Sequence, residues 1–333
     1  VEFDDGSWIV ADDVHRWAVL GAAALSAQTR KQEHWREARR NKREKRGRGL
    51  KPWLAARNIS RGGKAEQAGE WFGAEIVETA NLSSTGRKPA IPVTKPLHGT
   101  ESLLPLNPYV LGAWLGDGTS AGGGITCDES RPLVIEQIWT EGFTVTKWKG
   151  KHSYGIDGIS PILRKMGLIR NKHVPCGYLR ASIKDRCDLL AGLMDTDGSV
   201  GRDGTCELTT VSSVLADGYL ELIRSLGYKP TIMKKVTRCQ TGAIGSAFRI
   251  TWSGADTPIR DPLKKARLPQ KNSPIVRRRY IVSVTEAPSV PTRCIAVDSP
   301  GRMYLAGQAM IPTHNTDCLI AGLTRDIESP NYH

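Results

Sequence analysis

The sequence contains no apolar run approaching the ~18 residues that a membrane-crossing helix needs, so a helical bilayer span is excluded. It shows no secretory leader pattern. Its seven cysteines, Cys127, Cys176, Cys187, Cys206, Cys239, Cys294 and Cys318, are odd in number, scattered and never spaced as CxxC. That excludes a disulfide framework or a structural zinc site and fits a reducing cytosol. Acid is in short supply: 34 Asp and Glu stand against 47 Lys and Arg, a net charge of +13. Nucleic acid is therefore the first partner to consider. An initiating Met is also missing, and Val1 opens in mid-pattern, which reads as a fragment cut at both ends.

What is present is enough for packed domains. With 39% apolar and 24% charged residues, global disorder is excluded, and 333 residues allow two domains with room for a small third. Val1 to Leu20 reads as two short strands around an Asp5-Gly6 turn. Residues 30–51 form a charge run with eleven basic residues and three acids, a net of +8 that is most of the chain's total. Such a block is either a solvated segment or a contact to a DNA backbone. Ser83 to Pro108 is rich in Pro, Gly, Ser and Thr and is expected to be a linker over 83–106.

An internal repeat follows. YVLGAWLGDG (109–118) and LLAGLMDTDG (189–198) each read as an apolar helix closing on Asp-Gly, 80 residues apart, and each is followed by strand, helix, strands and helix. Gly112 and Gly192 sit mid-helix, where Gly costs ~1 kcal/mol against Ala. Two helices packed very closely would explain both. Their C-terminal ends would then meet, carrying Asp117 and Asp197, each before a Gly that permits a left-handed helix stop. A carboxylate opposes the dipole at that end of a helix. Two of them at one apex make an oxygen-ligand site for Mg²⁺, an ion that activates water and stabilises a leaving oxygen in phosphodiester cleavage.

The second copy closely resembles the signature of LAGLIDADG homing endonucleases, and the first resembles its looser form. The resemblance spans about residues 107–268. It implies a pseudo-symmetric αββαββα pair whose antiparallel sheets form a saddle on double-stranded DNA, with Asp117 and Asp197 as metal ligands. Asn171-Lys172-His173-Val174-Pro175 resembles the family's KxIP motif, which would make Lys172 an assistant in cleavage; Lys234 and Lys235 are candidates for the matching lysine of the second half. Side chains alternating on the saddle strands would read the major groove, and phosphate contacts would supply salt-sensitive affinity.

A second chemistry is written near the C-terminus. Thr313-His314-Asn315-Thr316 places a His before Asn and a hydroxyl after it. An Asn side-chain amide can attack its own backbone carbonyl and cut the following peptide bond, a neighbouring His can donate protons to that step, and the Thr316 hydroxyl can receive an acyl group. The preceding TRCIAVDSPGRMYLAG resembles the C-terminal strands of an intein's Hint domain. VEFDDGSWIVADDVHRW resembles the intein element that normally ends TxxH; here it reads Asp12-Asp13-Val14-His15, with Asp in place of Thr. His15 would polarise the upstream scissile amide. Most inteins carry Asp where Cys294 stands. The constellation Trp17, Cys294 and Thr316 resembles class 3 inteins, in which the internal Cys is the first nucleophile. A thiolate is far more nucleophilic than a hydroxyl near neutral pH. Cys294 would hold the upstream segment as a thioester, Thr316 would capture it, and Asn315 would cyclise. Bringing these groups together is worth ~7–11 kcal/mol of barrier.

The expected architecture is thus mixed: a β-rich Hint domain (1–100 and 275–315) interrupted by an α+β two-repeat endonuclease (107–268), with residues 316–333 as downstream host sequence. The implied activities are protein splicing, which needs no cofactor, and Mg²⁺-dependent cleavage of double-stranded DNA. The expected partners are that DNA and the chain's own flanking segments, with no membrane, and the protein is expected to act as a monomer. A helix opening with Thr316 suggests a P-loop ATPase host, such as a phage terminase or replicative helicase. Two rival readings are a freestanding endonuclease without splicing and a cleavage-dead DNA- or RNA-binding module.

Overall fold

A computed structural model describes residues 1–20, 74–85, 89–238, 244–269, 277–289, 297–298 and 302–314. The basic run 30–51, Cys294, Asn315 and residues 316–333 lie outside the described residues. The architecture is mixed, with several small antiparallel sheets and seven α-helices among the described residues.

Strands from the two ends of the chain build one unit. β1 (Glu2–Phe3) pairs with β12 (Arg278–Ser283), which pairs in turn with β4 (Ala90–Pro92). β2 (Arg16–Leu20) pairs with β3 (Ala74–Glu78), Trp17 standing opposite Val77. β13 (Met303–Ala306) and β14 (Ile311–His314) form a hairpin. Their inward faces bury Phe3, Trp17, Val19, Leu82, Ile91, Ile281 and Ile311 as one core. Arg279 and Asp5 meet inside it as an ion pair at 2.8 Å, and Arg279 Nη2 also donates to the Ala309 carbonyl. The expected linker is therefore not uniform. Ala90-Ile91-Pro92 is a strand with Ala90 and Ile91 fully buried, because a short apolar run can complete a sheet whatever the composition around it.

Residues 108–265 build the second unit. α1 (Pro108–Asp117) starts at Asn107, whose side chain accepts from the Tyr109 and Val110 amides, with Pro in the first turn. It leads into β5 (Gly124–Thr126), α2 (Leu133–Thr140), β6 (Val145–Lys147), β7 (Ser153–Ile156), α3 (Ile159–Lys165) and the single turn α4 (Cys176–Leu179). α5 (Ile183–Asp195) then repeats the part of α1, capped by Ser182, and leads into β8 (Ser199–Val200), β9 (Thr205–Thr210), α6 (Ser213–Ser225), β10 (Thr231–Arg238), β11 (Ile244–Ser253) and α7 (Pro262–Lys265). The first half makes the sheet β5-β7-β6 and the second the sheet β10-β11-β9-β8. One apolar core runs through both halves.

α1 and α5 pack backbone on backbone. A Cβ added at Gly112 would stand 2.1 Å from the Leu189 carbonyl oxygen, and one at Gly192 would stand 2.2 Å from that of Tyr109. The sequence expectation of left-handed stops at Gly118 and Gly198 is overturned. Gly118 is extended (φ −74°, ψ 150°) and Gly198 has no positive φ. These glycines are needed for space: a Cβ at Gly118 would lie 2.2 Å from the Trp114 carbonyl oxygen, and one at Gly198 would lie 2.5 Å from the Met194 Cα.

The C-terminal end of α6 ties the two units together. Arg277 donates to the Gly227 carbonyl at 2.8 Å, Lys229 Nζ to Asp4 Oδ2 at 2.6 Å, and the Leu97 amide to the Ser225 carbonyl at 2.9 Å. No helix among the described residues is long and apolar enough to cross a membrane.

Candidate active site

The glycine seam sets where the two helix ends fall. Gly116, in the last turn of α1, faces the end of α5 so closely that a Cβ there would lie 2.2 Å from Thr196 Oγ1 and 3.3 Å from Asp197 Cβ. Asp117 and Asp197 are thus side by side. Both carboxylates open to solvent, yet partial desolvation at the seam raises the pKa of each. Asp117 is raised further by the charge of Asp197. An opposing cation would relieve both effects. Among the described residues, no cluster of three or more His, Cys, Asp or Glu side chains that could hold a metal forms, so the candidate ligand set is this pair alone.

Each helix end also carries a lysine. Lys172 Nζ donates to the carbonyls of Trp114, Leu115 and Gly118 at 2.9, 3.0 and 2.7 Å, and lies 4.9 Å from the Trp114 ring centre. It thereby satisfies the orphan carbonyls and negative pole of α1. Burial lowers its pKa to about 8, against the opposing pull of Asp117 and Asp197. Val174, two residues on, is buried in the core and anchors the segment.

In the second half that position belongs to Lys264. Its Nζ donates to the carbonyls of Met194 and Asp195 at 2.7 and 2.9 Å. In the aligned repeats these are the counterparts of Trp114 and Leu115. Burial lowers the Lys264 pKa, with Asp195, Asp261 and Asp117 pulling the other way. Lys234 and Lys235 instead stand exposed on β10, opposite Phe248 and Ala247.

Two further residues, without a motif of their own in the sequence, hold Lys264 in place. Asp195, buried at the end of α5, accepts the Tyr109 hydroxyl at 2.9 Å and the amides of Arg260 and Asp261 at 3.0 and 2.9 Å. Asp261 caps α7 by accepting from the Leu263 and Lys264 amides. The only trace of this in the sequence is that Leu268-Pro269 echoes Val174-Pro175 after a lysine.

The strand-built unit gathers a second group of residues. His15 Nε2 is hydrogen-bonded to Thr313 Oγ1, and its ring meets the Trp17 ring edge-on with centres 5.0 Å apart. Trp17 is fully buried; its indole N–H donates to Thr79 Oγ1 at 2.9 Å, and the Thr79 hydroxyl donates to the His15 carbonyl. His314 lies at the end of β14, near enough for its charge to act on His15. Its Nδ1 has no hydrogen-bond partner among the described residues. The structure thus brings His15, Trp17 and His314 together, while Cys294, Asn315 and Thr316 lie outside the described residues.

Burial lowers the His15 pKa below 6.5, the His314 charge adds to the fall, and Asp12 opposes it. The sign for stability follows. Between the lowered pKa and 6.5 the unfolded chain binds more protons than the folded one, so stability falls as pH drops below 6.5. Thermal unfolding at pH 7.5 and pH 5 is expected to show this loss, and to show less of it in His15→Gln. An unchanged pH dependence in the variant would refute the assignment.

Residues 173–274 match the family model described as homing endonuclease. The chain is 34% identical over 320 residues to a replicative DNA helicase DnaB of Mycobacterium intracellulare, a match covering 95% of this chain and 50% of that protein. It is 53% identical over 36 residues to a replicative DNA helicase DnaB of Mycobacterium leprae (strain TN), covering 11% of this chain and 6% of that protein. The chain therefore spans about half the length of the longer-matched relative. The family match supports a DNA endonuclease.

Proposed function

We propose that this chain is an intein with a resident homing endonuclease of the LAGLIDADG type, that its host is a replicative helicase, and that it cuts double-stranded DNA with Mg²⁺ and splices itself from its host. The observation that carries the nuclease reading is the matched pair of helix ends: two glycine-packed helices, one aspartate on each, and one lysine on the carbonyls of each. A buried structural helix pair needs neither the adjacent acids nor the duplicated lysines.

The donor set fits a hard cation. Two adjacent carboxylates, both with raised pKa, suit Mg²⁺, which takes one or two carboxylates and fills its remaining positions with water and substrate phosphate. When bound, that ion supplies Lewis-acid stabilisation of phosphate oxygens and an activated water. The chain's own residues do the rest. The α1 and α5 seam fixes the spacing of Asp117 and Asp197. Lys172 and Lys264 place a positive charge beside each acid, where charge develops on a departing oxygen. With a pKa near 8, Lys172 can also exchange a proton at Nζ close to neutral pH. The replicative helicase relatives support the host reading. The chain itself holds no Gly-Lys-Ser/Thr phosphate loop, so ATPase chemistry is not the better account of the matched half.

For splicing, His15 polarises the upstream scissile amide in this reading, Trp17 packs edge-on against the His15 ring, and His314 precedes the cyclising Asn315. Cys294 is the first nucleophile and Thr316 the acceptor in this reading. The single-residue test is release of the segment from Thr316 onward in purified protein, expected in the wild type and abolished in Asn315→Ala. Release that persists in the variant refutes cyclisation.

The nuclease test is linearisation of plasmids carrying an uninterrupted helicase coding sequence, alongside a randomised library. Cutting is expected with Mg²⁺ and not with a chelator. Selective binding without cutting of any plasmid would replace the nuclease with a binding module.

A further inference from the structure

The strands after Asp197 carry a polar chain on the face turned away from the core. On β11, Ile250 and Trp252 are buried, so Arg249, Thr251 and Ser253 face the other way; on β9, Cys206 and Leu208 are buried, so Glu207 and Thr209 share that outer face. Arg249 pairs in register with Thr209, and Thr251 with Glu207, which puts Arg249 diagonal to Glu207. Arg249 Nε and Nη2 both donate to Glu207 Oε2, at 2.8 and 2.5 Å, and Thr209 Oγ1 donates to Glu207 Oε1 at 3.3 Å. The arginine side chain remains 44% exposed.

The carboxylate thus occupies one edge of the guanidinium fork. The other edge, formed by Nη1 and the second N–H of Nη2, carries parallel donors that are not taken up by Glu207, on a side chain that is exposed. That edge matches the O6 and N7 acceptors of guanine in the major groove. Because Glu207 already restrains the side chain, less conformational freedom is lost on contact. A phosphate is the poorer partner, since the Glu207 carboxylate would face it with like charge, whereas a base edge carries no net charge.

We infer that Arg249, held by Glu207 and Thr209, reads a guanine in the DNA target. Glu207 pairs in register with Ser199, two residues beyond Asp197, so this guanine lies in the inner part of the half-site bound by the second repeat, close to the cut. The inference rests on the nuclease reading for its ligand, but it concerns binding and is tested without cleavage.

The experiment is a binding selection from randomised duplexes by the full chain in the absence of divalent ions. The wild type is expected to fix guanine at one inner position. Arg249→Lys and Arg249→Ala should lower that preference about 10- to 100-fold and leave other positions unchanged. Glu207→Gln should weaken the same position by a smaller factor. Replacing that guanine by 7-deazaguanine should weaken wild-type binding and leave Arg249→Ala unaffected. An unchanged profile in Arg249→Ala overturns the inference. So does a uniform loss across all sequences with a shallower salt dependence, which would mark a phosphate contact. Wild-type protein that selects no sequence overturns this inference together with site-specific cleavage; selective binding without cutting overturns the nuclease alone.

Discussion

Asp197→Asn is expected to stop strand cleavage while leaving duplex binding intact. Asn keeps the size and one acceptor oxygen but removes the charge that holds a divalent ion. Several kcal/mol of charge stabilisation then disappear from the transition state, which is a fall of roughly 10³-fold or more in single-turnover rate. Asp117→Asn should behave alike. If the two acids serve a shared ion, the double variant is no slower than either single one, because the second substitution removes a ligand from a site already broken. Loss of folding is not a rival explanation. Desolvation raises both pKa values, and the Asp197 charge raises that of Asp117 further, so removing one charge relieves strain, and the melting temperature should stay level or rise. Undiminished cutting by either variant would dismantle the proposed site.

Gly112→Val or Gly192→Val is expected to unfold the helical unit. At each position the new Cβ would lie little over 2 Å from a carbonyl oxygen of the facing helix. That obstacle is backbone, so no side chain can swing aside; the helices must separate and lose the core between them. Overpacking a core costs about 1–3 kcal/mol where side chains can shift, and here the loss should exceed the upper end of that range. Gly177→Ala is the control. It lies in α4 with nothing within 4 Å of the added Cβ and without a positive φ, so it should be neutral or stabilise by about 0.4–1 kcal/mol. Urea unfolding followed by tryptophan fluorescence would check both. A Gly192→Val protein as stable as the wild type would contradict the packing described.

The paired helices were legible in the sequence because their requirement is local. Glycine where a helix disfavours it, twice and at a constant interval, has few structural causes, and Asp at the wrong pole has fewer. Lys172 was legible because Val174-Pro175 fixes its context. Lys264 was not, because its lysine-to-proline spacing differs from that of the first half and the residues delivering it, Asp195 and Asp261, act through backbone amides that no side-chain pattern records. The glycines after the acids were assigned a conformational role that the chain gives to space instead: Gly118 is extended and sits against Trp114. β4 was missed because three residues are too few to show alternation. Its strand character comes from Arg279 and Tyr280 opposite, far away in sequence.

That separation bears on how the protein is made. Phe3 has its ladder partner in Ile281, and Trp17 closes a core completed by Ile311. During synthesis β1 emerges long before β12, and β2, although β3 follows it soon, lacks Ile311 to complete its core while residues 108–265 are translated. Loop-closure entropy for a tether of that length is unfavourable. A helical unit that folds first on the ribosome draws the two ends of its own segment together, since Leu97 and Arg277 both bond to the end of α6. The late strands then need to close only a short gap. The helical unit would act in this way as an assembly clamp, and the splicing proposed above would begin only after the clamp had formed.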